Sequence, residues 1–297
     1  MKRWAALPAL ALLAGCATTP DLPAGAKYVA LGSSFAAGAG IPPLATDRPA
    51  RCGASQLSYP RLLAADLGLS LTDASCGGAT PAHLLGAWDE LPAQIDAVTP
   101  DTRLVTITIG GNDLNYMGVL FAASCHAGSA QGTMAERIRD PETGQCRPVP
   151  VPDAAAVQTL ADNLAAILLA VRERAPMARV VLVQYLALVN ETDCPAAPLD
   201  PEHAAAARAL AASLAQASSR AAERAGAEVL PMDRLSLGHT ACDSEPWARG
   251  LDEGFDPAFG APWHPAPEGH LAIAQELATM LGASDRSWTR YAEKPHP

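Results

Sequence analysis

Leu104-Val105-Thr106-Ile107-Thr108-Ile109 is a run of aliphatic and β-branched residues, and Gly110-Gly111-Asn112-Asp113 closes it. A run free of charge and ended by glycines reads as a strand buried on both faces that opens into a turn. The same pattern recurs on either side. Tyr28 to Leu31 is a short apolar run ending at Gly32, and Leu69 to Asp73, Arg179 to Leu186 and Ala227 to Pro231 are further strand candidates. Stretches with helical spacing lie between them: Tyr59 to Leu67, Trp88 to Val98, Ala154 to Arg174, His203 to Ala225 and Pro267 to Leu281. Strands alternating with helices predict an α/β protein, a three-layer α/β/α sandwich with a central, mainly parallel sheet. In such sheets ligands collect beyond the carboxyl ends of the strands. Ser34, Gly78 and Asn112 each follow a predicted strand, so all three are expected on one rim.

The whole chain sets bounds on this reading. Its 297 residues, 49% of them hydrophobic, suffice for one large core or at most two. A formal charge of -10 without any basic stripe argues against nucleic acid as a partner. The glycines fit neither G-x-G-x-x-G nor a P-loop, and neither H-E-x-x-H nor C-x-x-C occurs, so no nucleotide cofactor and no metal are expected. The elbow G-x-S-x-G is also absent. Leu114 to Asp153 breaks the alternation and is rich in Gly, Pro and charge, which suggests a disulfide-pinned surface insertion at about 114–153. Within it, Tyr116, Met117, Leu120 and Phe121 read as one face of a short helix that either lines a pocket or packs on the core.

The ends and cysteines speak to location. Lys2 and Arg3 precede the apolar Ala5 to Leu13, and Leu13-Ala14-Gly15-Cys16 resembles a bacterial lipobox. That resemblance implies a signal peptide over 1–15, lipidation of Cys16, a tether over 16–27 and a domain over 28–297 held at the cell-envelope membrane. An ordinary secretory signal cleaved near Ala17, with release of the protein, is the alternative. The remaining Cys52, Cys76, Cys125, Cys146, Cys194 and Cys242 are even in number and suit an oxidising compartment. Sequential pairing, Cys52–Cys76, Cys125–Cys146 and Cys194–Cys242, is expected, although sequence alone does not select it.

Four short stretches carry the chemistry: Gly32-Ser33-Ser34-Phe35, Cys76-Gly77-Gly78-Ala79-Thr80, Gly110-Gly111-Asn112-Asp113 and Trp263-His264-Pro265-Ala266-Pro267-Glu268-Gly269-His270. A serine hydroxyl in a small-residue turn becomes a nucleophile once a base takes its proton. Ser34 is the candidate, with Ser33 as its neighbour. Gly78, lacking a side chain, lets a backbone N–H approach an oxygen, and the Asn112 amide is a second donor. His264 is the candidate base; His270 competes from one turn inside the last helix.

In this order the blocks resemble the SGNH hydrolases, also called the GDSL family, from Tyr28 to Leu281. The resemblance implies a carboxylic ester hydrolase without cofactor. Ser34 would be the nucleophile and His264 the base, with an oxyanion hole from Ser34 N–H, Gly78 N–H and Asn112. The cysteine distribution is similar to that of the family's secreted three-disulfide lipases and esterases. Ester substrates, lipid or phospholipid esters among them, and a monomeric state are the expectations that follow. Two positions depart from the family pattern. G-D-S-L reads Gly32-Ser33-Ser34-Phe35, and the Asp expected three residues before the histidine is Ala261. The Ala261 carbonyl is expected to orient the imidazole instead, with Asp256 or Asp252 as the acidic alternatives. The missing acid also motivates a rival reading, a non-catalytic envelope lipoprotein that binds glycan or a protein partner.

Overall fold

Five of the apolar runs become strands in the computed structural model, which describes residues 22–129, 136–283 and 288. They are β1 (Lys27–Gly32), β2 (Ser70–Asp73), β3 (Thr102–Thr108), β4 (Arg179–Val183) and β5 (Glu228–Leu230). All pair in parallel in the order β2-β1-β3-β4-β5, so the sheet is wound in both directions from β1 and β3. Val105 and Ile107 of β3 are buried, as are Val29 and Leu31 of β1 and Val181 of β4, because helices cover both faces. The threonines that alternate along β3 are buried too. Thr106 Oγ1 pairs with Tyr28 Oη at 2.7 Å and Thr108 Oγ1 with Tyr59 Oη at 2.9 Å, which satisfies four hydroxyls inside the core.

The helices are α1 (Ser34–Ala37), α2 (Tyr59–Leu67), α3 (Pro81–Leu85), α4 (Tyr116–His126), α5 (Ala154–Arg174), α6 (Pro201–Ala225), α7 (Met232–Leu235) and α8 (Pro267–Met280). Their ends are written locally. Asp153 caps α5 by accepting the Ala156 N–H, and Asp200 caps α6 by accepting that of His203. Gly68 and Gly226 close α2 and α6 in the left-handed conformation. α2 packs with α8, while α4 and α5 pack on α6. Ala154–Arg174 is long and apolar enough to cross a membrane, yet it lays Leu160, Leu164, Leu168 and Val171 into the core.

Several expectations need correction. Trp88 to Val98 is no helix. Trp88 pairs with Leu91 across a tight turn, Asp89 takes a positive φ, Pro92 follows, and only Gln94–Ala97 makes a 3-10 turn. The neighbouring α3, which was not foreseen, begins at a Thr80–His83 capping box with Pro81 at its first position. The segment after Leu114 is not wholly a surface excursion, because α4 buries Tyr116, Val119, Leu120 and Ala123 against α6. Tyr116 and Leu120 are core residues, and Met117 and Phe121 pack half-buried upon it. The expected tether ends early. The Gly25 N–H already binds Gly68 O and Lys27 opens β1.

Three disulfides join Cys52 to Cys76, Cys125 to Cys146 and Cys194 to Cys242. Such bridges persist in oxidising, extracytoplasmic surroundings. Cys16 and the signal segment lie outside the described residues.

Candidate active site

The end of β1 sets the first group in place. Gly32 has φ 145°, and a Cβ there would stand 2.4 Å from Thr108 O, so only glycine lets β1 close on β3 here. The Gln94 side chain grips the same residue, accepting its N–H at 2.8 Å and donating to its carbonyl at 3.0 Å. The chain then turns into α1. Ser33 is buried and its Oγ lies 3.3 Å from Tyr185 Oη. Ser34 is half-buried at the first position of α1, where its N–H has no intrahelical partner. Its Oγ lies 2.8 Å from His264 Nε2. Of the two serines, then, it is Ser34 that meets the imidazole.

His264 is held by its backbone and by its neighbour. Its carbonyl accepts the Arg249 N–H at 2.9 Å, and the Trp263 N–H donates to Arg249 O at 3.1 Å. Trp263 is buried with φ 57°, a conformation costly for a bulky residue, and its Nε1–H donates to Ser124 Oγ of α4 at 3.0 Å. The left-handed Trp263 folds the chain so that His264 Nδ1 lies 2.7 Å from Pro262 O. A carbonyl only accepts, so Nδ1 carries the proton and the lone pair of Nε2 faces Ser34.

This corrects the identity of the orienting group. The Ala261 carbonyl does not meet the ring, and the Ala261 N–H donates to Ala39 O instead. The Asp256 carboxylate caps a 3-10 turn through the Ala258 N–H at 2.8 Å. Asp252 and Asp256 both lie in the field of Arg249, and neither bonds the imidazole. Burial pushes His264 down to about 4, partly offset by its bond to Pro262 O. His270 stays apart from Ser34. Its Nδ1 accepts the Tyr59 N–H at 3.2 Å, and burial pushes it down to about 3.

The two donor candidates meet across one turn. Gly78 is exposed with φ 83°, beside Gly77, whose N–H donates to Cys52 O at 3.0 Å. Asn112 Nδ2 donates to Ala79 O at 2.8 Å. One amide hydrogen is thereby fixed, and the other is left to point elsewhere. The edge of Trp88 would lie 3.4 Å from a Cβ at Gly78, and His83 and Arg51 both stack on this indole, at 4.1 and 4.3 Å. Sequence reading missed Gln94, Pro262, Trp88 and Tyr185. Of these, only Pro262 carried a signal, its place two residues before His264.

A serine hydroxyl hydrogen-bonded to a neutral imidazole, with amide and backbone donors nearby, is equipped for acyl transfer. Comparison with known proteins agrees. Residues 30–272 match the model of the GDSL-like lipase/acylhydrolase family. The chain is 34% identical to Lipase 2 of Streptomyces coelicolor over 289 residues, covering 94% of this chain and 95% of that one. It is 28% identical to a lipase of Streptomyces rimosus, covering 90% and 92%. Among solved structures, phospholipase A1 of Streptomyces albidoflavus superposes with a TM-score of 0.68 at 25% identity, over 86% of this chain and 99% of that one. This chain belongs to the GDSL-like lipase/acylhydrolase family of ester hydrolases.

Proposed function

We propose that the protein cleaves carboxylic esters through an acyl-enzyme on Ser34. His264 Nε2 takes the Ser34 proton as Oγ attacks the ester carbonyl. The developing oxyanion is held by Ser34 N–H, Gly78 N–H and the free amide hydrogen of Asn112. His264 then gives its proton to the leaving alcohol, and a water activated by the same imidazole releases the acid. The observation that carries this reading is the 2.8 Å contact between Ser34 Oγ and His264 Nε2, on a ring whose Nδ1 is fixed by Pro262 O. Lipid esters, phospholipids included, are the substrate class suggested by the relatives named lipase and phospholipase A1. The lipobox-like Leu13-Ala14-Gly15-Cys16 supports cleavage after residue 15 and a domain tethered to the envelope membrane through Cys16. The disulfide-pinned segment after α4 is read as the domain's insertion.

A fluorophosphonate probe tests the core of the proposal. Labelling at Ser34 by mass spectrometry, lost in Ser34→Ala and kept in Ser33→Ala, is expected. Wild-type protein left unlabelled would revive the non-catalytic envelope binder. Rates across p-nitrophenyl esters of rising chain length would then rank the acyl group.

A further inference from the structure

Tyr185 stands just past the end of β4, buried, and its hydroxyl touches two loops at once. The Gly111 N–H donates to Tyr185 Oη at 3.0 Å, and Oη lies 3.3 Å from Ser33 Oγ. Gly111 immediately precedes Asn112, and Ser33 immediately precedes Ser34. The close approach depends on glycine, since a Cβ at position 111 would stand 2.8 Å from Oη. The phenol ring also packs 4.3 Å from Phe35, whose ring lies 4.7 Å from the His264 imidazole. Each of these contacts falls beside a group assigned to the reaction. Burial pushes the phenol up to about 12, so it stays protonated through the neutral range and can accept from Gly111 while donating to Ser33.

We propose that Tyr185 is a positioning residue for ester hydrolysis. Its hydroxyl pins the turn after β1 to the turn after β3 and thereby sets the separation between Ser34 Oγ and the Asn112 amide. The proposal rests on the assignment of Ser34 and Asn112 given above. The oxyanion exists only once Ser34 has attacked, so an error in this separation weakens the transition state more than the bound substrate. Misplacement by about 1 Å costs on the order of 100-fold in rate.

The test is Tyr185→Phe, which keeps the ring against Phe35 and removes the hydroxyl. With a p-nitrophenyl ester, kcat is expected to fall at least about 10-fold while KM stays within about twofold. Active-site titration with a fluorophosphonate should label the same fraction of molecules, only more slowly. Ser33→Ala breaks the same tie from its other end and guards against a Tyr185 variant that fails to fold. Its kcat should fall by a smaller factor at unchanged KM, and the double variant should be no slower than Tyr185→Phe alone. Wild-type kcat in Tyr185→Phe overturns the proposal, as does a loss that vanishes when rates are expressed per titrated site. Wild-type protein that takes no label at Ser34 shows that the nucleophile assignment itself has failed, and the positioning role falls with it.

Discussion

A carbonyl stands where a carboxylate was expected, and that one exchange shapes the chemistry of His264. Pro262 O fixes the tautomer at 2.7 Å but brings no negative charge to steady an imidazolium. More of the transition-state stabilisation then falls to the oxyanion donors, so Asn112→Ala should lower kcat by about 100- to 1000-fold, read with a soluble ester. Asp252→Asn and Asp256→Asn should keep kcat within about twofold, since neither carboxylate bonds the ring. A loss on the order of 1000-fold in either would show that a carboxylate does serve His264. As the proposed base, His264 works only when neutral. With His264 pushed down to about 4, kcat/KM should hold as the solution is acidified and fall only as pH drops through about 4. Asp113, beside Asn112 and pushed up to about 6 by desolvation, is the group that could distort this profile. Asp113→Asn should leave the lower limb in place.

At the scale of elements, the site is a set of turns clamped to one another. The Cys52–Cys76 bridge, with Gly77 N–H on Cys52 O, ties the segment carrying Arg51 to the turn that presents Gly78. Arg51 in turn packs on Trp88, whose edge flanks Gly78. Replacing both cysteines with serine should cost about 3 kcal/mol in the chain-entropy description of a loop this size, measured by urea unfolding. It should also lower kcat, because the turn that presents Gly78, the proposed donor, loses its clamp. The same change at Cys194 and Cys242, whose bridge joins neither the Gly78 turn nor the Asn112 turn, should cost stability with little change in kcat. Element boundaries were legible where a cap or a period announced them, as at Asp153 and Gly226, whereas α6 opens at Pro201, ahead of the expected His203. They failed at Trp88 to Val98, where apolar residues fell at helical spacing by chance and a turn at Asp89 ruled the backbone instead. α4 was legible only as a short helical face of Tyr116, Met117, Leu120 and Phe121. It is buried nearly all round, so no polar face marks its extent.

Across the whole molecule, strand order decides where the proposed reacting groups meet. In β2-β1-β3-β4-β5 the chain winds outward in opposite directions from β1 and β3, and the crevice beyond their carboxyl ends is where such sheets bind ligands. Ser34 follows β1, Asn112 follows β3 and Tyr185 follows β4. Burial of two neutral histidines at this end of the fold also makes stability depend on pH. Their folded values, about 4 and about 3, lie below the ordinary 6.5, so the unfolded chain binds more protons between those limits. The contribution is present above about pH 6.5 and is lost as pH falls toward the folded values. Between about pH 7.5 and pH 5, wild-type protein should lose about 2 kcal/mol more stability than His264→Ala, by urea midpoints at each pH. The sequence by itself determined the alternation of strands and helices, the rim that receives Ser34, Gly78 and Asn112, and the pairing of serine with histidine as a chemical type. These features are local, written in periods, caps and short motifs. Only the tertiary structure decided that Ser34 rather than Ser33 faces the imidazole, that Pro262 holds it, and that Gln94 and Tyr185 brace the turns. Those outcomes depend on how distant segments register against the sheet to within an ångström, which no local pattern encodes.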